Sequence, residues 1–309
     1  MAASLRHLFE QKRSLAALSR LAIDAVAHRI NGGQRASQPS ETEREPGPGP
    51  WIEERVEGPS AALVRAFVRE SGGDAGWYRD HVPVGLFPQW TFATMTRVLG
   101  SLPDDLSRVL NQGVTVSRTA TIRSGVALVV RARLASVERD ERRARFVTEL
   151  ETGTEEQPDA IVAKVHTYLP LGRSSQRSDR ARPKSQETPG ASARELATWS
   201  LAPTAGRDFA VLTGDVNPIH WLGPAAKLAG FRSPILHGFA QMARSIEALN
   251  RGVFVGDPAR LSGFDVRFLR PLALPSRVAL YVDRGGARFW VADGPNGPAY
   301  LSASYEVSP

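Results

Sequence analysis

Between residues 114 and 122 apolar and polar side chains trade places along the chain, with Val114, Val116, Ala120 and Ile122 set among Thr115, Ser117, Thr119 and Thr121. A period of two predicts a half-buried strand. Segments 126–134, 145–150 and 161–169 read as further strands, and helical patterns around 61–68 and 90–99 precede them. The same order recurs downstream. Ile235, Phe239, Met242, Ile246 and Leu249 mark one face of a helix, and 264–269, 278–282, 288–292 and 299–307 follow as strands. A helix followed by antiparallel strands on short turns predicts an α+β module in which the sheet wraps one long helix.

The pattern also predicts where the modules end. Residues 4–30 carry Leu5, Leu8, Leu15, Leu18, Ala22, Val26 and Ile30 near helical spacing, which predicts an amphipathic helix docked on the body or on a partner. Residues 37–50 alternate Pro and Gly towards their end, a linker composition. Residues 173–190 hold no aliphatic side chain larger than Ala and are expected to be a disordered linker. Two stretches of nearly equal length remain, 51–172 with 122 residues and 191–309 with 119 residues. Equal halves with the same element order point to a duplicated fold.

Composition narrows the chemistry. The 309 residues include no cysteine, which excludes a disulfide scaffold, a thiolate metal site and a thiol nucleophile. No apolar run reaches the roughly 18 residues a membrane-spanning helix needs. Glu10 and Asp24 weigh against an organelle transit peptide, and the expected location is the cytoplasm. The formal charge of +7 invites a nucleic-acid partner, but residues 1–36 carry +4 of it and residues 173–190 carry +3. Basicity held mostly in a tail and a linker, and not concentrated on a folded surface, means that no nucleic-acid partner is expected. Phosphate-cradling Gly-rich loops and a GxSxG elbow are absent from the sequence.

One stretch carries chemistry: FAVLTGDVNPIH, residues 209–220. It holds an acid, Asp215, and an imidazole, His220, separated by Asn217 and Pro218. Pro fixes its own φ and restricts the residue before it, so the segment predicts a rigid turn that can aim both side chains at one cavity. Gly214 lets the chain bend before the acid, and Asn217 can bond its own backbone or a ligand.

This stretch resembles the hydratase-2 motif of the MaoC-like (R)-specific enoyl-thioester hydratases and dehydratases, with every position of TGDxNPIH filled. The run GFRSPILHG, residues 230–238, is similar to the second signature of that family, which opens the central helix. The resemblance implies a double hot dog, two antiparallel sheets each wrapping a central helix: a catalytic module over 191–309 and a degenerate, non-catalytic one over 51–172. The activity implied is syn addition of water to a trans-2-enoyl thioester, giving a (3R)-3-hydroxyacyl thioester, or the reverse dehydration. Asp215 and His220 match the catalytic pair, Asp215 as proton shuttle and His220 as the group that orients and activates the water. Gly238 matches the position whose backbone N–H stabilises the thioester oxygen. His237 beside it reads as structural, bonded to backbone at the helix start.

The same resemblance implies no cofactor and no metal beyond a substrate carried on coenzyme A or on the phosphopantetheine of an acyl carrier protein. Arg267 and Arg270 are candidates for its phosphates, since a guanidinium offers a planar fork of donors; ordinary solvated strand residues are the other reading. Asn217 is a further substrate-binding candidate, and a homodimer is one assembly to test. The first module is expected to shape acyl selectivity through the helix that starts near Trp90. A non-catalytic thioester-binding or scaffold protein on the same fold is the competing reading, against which the intact Asp215 and His220 weigh.

Overall fold

A computed structural model of the chain describes residues 5–17, 48–100, 102, 109–171 and 186–308. Its spine is one ten-stranded antiparallel sheet, to which each half of the chain contributes five strands. The first half supplies β1 (Ile52–Glu57), β2 (Leu110–Arg118), β3 (Ala127–Arg139), β4 (Arg143–Gly153) and β5 (Ile161–Pro170). The second supplies β6 (Arg194–Leu201), β8 (Leu261–Phe268), β10 (Ser276–Asp283), β11 (Arg288–Ala292) and β12 (Ala299–Val307). A two-stranded ribbon of β7 (Ile235–Leu236) and β9 (Leu272–Ala273) stands apart.

The spatial order β1-β3-β4-β5-β2-β8-β12-β11-β10-β6 reads as the same five-strand arrangement twice, related by a turn about the β2–β8 pair. At that seam Val114 lies opposite Val266 and Val116 opposite Phe264. The expected two sheets are therefore one, because edge strands left unpaired would each expose a row of backbone donors and acceptors. A second correction concerns element order. Each half opens with a strand, β1 or β6, and not with a helix. Both lie at the free edges of the sheet and are mostly solvated, so their sequences IEERVE and RELATWSL lack the clean alternation of inner strands. Inner strands show it plainly: in β4, Ala144, Phe146, Leu150 and two threonines between and beyond them face inward, while Arg145, Glu149 and Glu151 face out.

Among the described residues, the helices of the two halves are α1 (Ala61–Glu70), α2 (Pro88–Leu99), α3 (Ala205–Thr213), α4 (Gly223–Leu228) and α5 (Gly238–Gly252). Helix α5 is the long central helix of the second half, with Phe239, Met242, Ile246 and Leu249 buried. Ile235, expected on that helix face, sits instead in β7, before the helix begins. One hydrophobic core runs through both halves. Phe239 lies edge-on to Phe87 of the first half at 5.6 Å and to Phe268 of β8 at 5.7 Å. A polar tie joins the halves elsewhere. Tyr78 donates to Glu247 on α5 (2.6 Å), and Asn250 donates to the Tyr78 hydroxyl (2.7 Å). Burial raises the Glu247 carboxyl to about 7.

Two linker boundaries shift. Gly49, assigned to the Pro/Gly linker, donates its N–H to the Leu134 carbonyl (2.8 Å). Glu187, assigned to the disordered linker, accepts from the Trp290 indole, from Ser302 and from Arg267 and Arg288, so residues 186–190 belong to the second half. Of the predicted N-terminal helix, residues 5–17 are helical and packed on the body, opening as a 3₁₀ turn over Leu5–Gln11. The remainder of it, the linker up to residue 47 and residues 173–185 lie outside the described residues.

Candidate active site

Helix α3 ends where Gly214 takes a left-handed conformation, φ +79°, and donates its N–H to the Ala210 carbonyl. A side chain at this position would be strained, and the reversal turns the chain so that Asp215 leaves the helix axis. The next residues lock themselves. Asn217 accepts the Ile219 N–H on its side-chain oxygen (3.3 Å), Pro218 opens a 3₁₀ turn over Pro218–His220, and the Trp221 indole donates to the Val216 carbonyl (3.0 Å). Asn217 thus spends its side-chain oxygen on the turn while still lining the cavity.

His220 donates from Nδ1 to the Ile235 carbonyl (2.8 Å). A carbonyl can only accept, so this bond assigns the proton to Nδ1 and leaves Nε2 with its lone pair free to take a proton. Burial lowers the pKa of His220, with Asp215 and the Ile235 carbonyl opposing, so the ring is held neutral. His237 stacks on it, ring centroids 3.6 Å apart and planes 24° apart. His237 donates from Nε2 to the Asp215 backbone carbonyl (3.0 Å), and that Nε2 lies 3.8 Å from the Asp215 carboxylate. Burial, and then the neighbouring His220, push His237 down to about 3. It is a neutral post that holds the acid by its backbone, as the sequence reading expected.

Gly238 is the first residue of α5, where a backbone N–H has no intrahelical acceptor and the positive end of the helix dipole lies. A Cβ here would stand 2.7 Å from the Phe268 ring, so only glycine lets that ring close over the helix start. Asp215, Asn217, His220, His237 and Gly238 line one cavity of about 280 Å³. Its apolar wall includes Leu236, Phe239 and Phe268.

The cavity corrects one expectation and adds residues that the sequence does not signal. The first half does reach it, through residues 109–112 and Tyr168, whereas no residue of α2 lines it. Helix α2 packs mainly over β3 and touches α3, the helix that leads into the Asp215 turn, without reaching the cavity. Gln241, one turn into α5, was passed over because a Gln in a helix carries no local signal. It is buried at the cavity wall and its Oε1 has no hydrogen-bond partner among the described residues.

The two arginines part company. Arg270 lies at the cavity rim, donating to the Pro298 carbonyl (3.3 Å) and stacking over Tyr300. Arg267 points from the outer face of β8 and pairs with Glu187 at 2.6 Å, away from the acid and imidazole. Both line a wider open groove of about 1080 Å³ that shares Gln112, Phe268, Leu269 and Arg270 with the cavity.

Donor atoms of Asp215, His220 and His237 lie within 4.8 Å of one another, a spacing at which a metal could be considered. The fit is poor. Near-parallel stacked rings send their in-plane lone pairs side by side and not towards a common point, as a tetrahedral site requires.

The chain is similar to several known proteins. The family described as MaoC-like domain matches residues 184–294. The 3-hydroxyacyl-thioester dehydratase X of Mycobacterium tuberculosis is 33% identical over 175 residues, 56% of this chain and 58% of that protein. The peroxisomal enoyl-CoA hydratase 2 of Arabidopsis thaliana is 45% identical over 58 residues, 19% of each chain, so the matches span less than two thirds of these curated relatives. Among solved structures, HtdX of Mycobacterium tuberculosis superposes with a TM-score of 0.66 at 22% identity, covering 83% of this chain and all (100%) of that one. A second Mycobacterium tuberculosis structure, described as having a double hot-dog fold, gives 0.56 at 12% identity over 84% of this chain and 95% of its own. The structural likenesses show the fold, and the MaoC-like match falls on the half that carries the Asp215 turn.

Proposed function

We propose that the protein hydrates trans-2-enoyl thioesters to (3R)-3-hydroxyacyl thioesters, or catalyses the reverse dehydration. The observation that carries this reading is the convergence of Asp215, neutral His220 with a free Nε2, and the Gly238 N–H on one cavity. A water between the two side chains donates one hydrogen bond to His220 Nε2 and gives its other proton to the Asp215 carboxylate. Its oxygen adds to C3 of the enoyl group as the π electrons shift towards the thioester oxygen. The Gly238 N–H and the helix dipole stabilise that oxygen as charge develops. Asp215 then returns the proton to C2. One water is consumed, both of its parts arrive on the same face, and the enzyme is regenerated.

The carrier reading follows the shape. The groove that joins the cavity at Arg270 suits a phosphopantetheine arm, with the phosphates of coenzyme A or of a carrier protein at its outer end. Arg267 would have to exchange Glu187 for a phosphate, which makes Arg270 the stronger of the two candidates. Acyl selectivity is assigned to the first half's residues 109–112 and Tyr168, in place of α2.

The experiment is loss of enoyl-thioester absorbance with crotonyl and longer substrates on both carriers, with product configuration read by an (S)-specific 3-hydroxyacyl dehydrogenase. Turnover giving a product that this dehydrogenase refuses supports the proposal. No turnover on any substrate, or an (S) product, overturns it.

A further inference from the structure

Local hydrogen bonds of the Asp215 turn fix its shape, but they do not fix where the turn sits relative to α5 and the cavity. Bonds to other segments do that: besides the His220 bond to the Ile235 carbonyl, two more hold the turn and the helix before it. One is the His237 bond to the Asp215 carbonyl; the other comes from the far end of the chain. Gln11, almost fully buried, donates from Nε2 to the Leu212 carbonyl at 3.0 Å, across 201 positions of sequence. Leu212 lies in the last turn of α3, where carbonyls have no intrahelical partner and must be satisfied from outside. The Oε1 of Gln11 accepts in turn from Gln89 at the start of α2 (3.1 Å), so one carboxamide spans both halves.

Ser14 completes the contact. It is buried one turn further on, and it fills the space beside Gly214: a Cβ on Gly214 would stand 2.7 Å from the Ser14 Cβ and 3.1 Å from Gln11 Oε1. Gly214 immediately precedes Asp215. The segment is itself fastened to the first half, since Arg13 pairs with Glu54 (2.5 Å) and Glu10 accepts the Ser60 N–H (3.3 Å).

We infer that residues 5–17 are a positioning element of the active site: Gln11 and Ser14 hold the end of α3, and through it Asp215, at the distance from His220 and Gly238 that the reaction requires. Gln11 does not line the cavity and acts through the Leu212 carbonyl and Gly214. Small displacements of a reacting group are costly because catalysis depends on a near-attack geometry. The MaoC-like match covers residues 184–294 and leaves this segment unassigned. The inference rests on the hydratase reading for its kinetic arm only.

The test uses the full chain with Gln11→Met, which keeps the side chain's bulk and removes both hydrogen bonds, and Ser14→Leu, which wedges against Gly214. Arg13→Ala serves as the control: it removes a half-exposed surface ion pair of the segment, worth little to its docking, and leaves the Gln11 and Ser14 contacts in place. Hydrogen–deuterium exchange over residues 209–221 and steady-state kinetics on a crotonyl thioester are measured together. Gln11→Met and Ser14→Leu are expected to speed exchange in that stretch and to lower kcat about tenfold with KM within a factor of two, while Arg13→Ala leaves both unchanged. Wild-type exchange in Gln11→Met overturns the brace, and so does an equal kcat loss in Arg13→Ala, which would mark general undocking. Faster exchange in a protein whose wild type turns over no thioester leaves the brace standing and sinks the hydratase reading instead.

Discussion

His220 and His237 stack face to face at 3.6 Å, and each is pinned by a backbone carbonyl of another segment, Ile235 for the first and Asp215 for the second. The stack gives the two imidazoles different work. His237 surrenders its proton-bearing nitrogen to the acid's own backbone, and His220 keeps Nε2 for the cavity. Burial lowers the pKa of both rings, and for His237 the neighbouring His220 lowers it further.

Asp215→Asn and His220→Gln are each expected to leave the fold intact and to lower kcat by at least ~10²-fold, the usual cost of losing general acid–base catalysis. Because both groups act on one water, the double variant should be little worse than the weaker single. Steady-state kinetics beside a circular dichroism spectrum decide the matter, and wild-type turnover in either single variant would end the mechanism.

Gly238→Ala sets a methyl group 2.7 Å from the Phe268 ring. The ring or the helix start must move, at an expected cost of about 1–3 kcal/mol in stability, with loss of turnover as the N–H shifts. Pairing it with Phe268→Leu should recover part of the melting temperature. Equal melting temperatures for wild type and Gly238→Ala would show that the ring does not close on this position.

Gln241 presents an unpartnered, buried oxygen at the cavity wall. Replacing it with Met removes a polar group that the free protein does not satisfy, so the variant should melt no lower than wild type. If the carboxamide contacts the thioester or its pantetheine amides, kcat/KM should fall about tenfold in the same variant. Stability kept and activity lost is the expected signature; unchanged kcat/KM would make Gln241 a wall residue only.

Stability against pH carries opposing slopes. Glu247 is raised to about 7 in the folded protein, so its contribution is complete below the ordinary carboxyl pKa of about 4.3 and is lost as pH rises through about 7, worth on the order of 3 kcal/mol. His237 is lowered to about 3, so its contribution is complete above the ordinary imidazole pKa of about 6.5 and is lost as pH falls towards 3. Between about 4.5 and 6.5 the two partly cancel. Denaturant titrations of Glu247→Gln should therefore show stability falling steadily on acidification through that window, where wild type is flatter. Parallel curves for the two proteins would contradict the burial assigned to Glu247. Activity should hold on its acidic side to below the ordinary imidazole pKa, because His220 is lowered and stays a base.

Much of this was legible in the chain. Period-two alternation marks the inner strands, since one face of each meets helices and the other meets water. Asp215, Asn217, Pro218 and His220 sit within six residues, so Pro and Asx-turn chemistry write their geometry locally. Tertiary structure decided the rest. Edge strands β1 and β6 escaped notice because half-solvated strands need no alternation, and the β2–β8 seam joins residues about 150 apart, which no local period reports. His237 under His220, Gln241 at the cavity wall and Gln11 beneath Leu212 are single polar residues whose meaning comes only from what folding sets against them. A buried polar atom must find a partner, and which partner it finds is settled by the packing of distant segments and not by its neighbours in sequence.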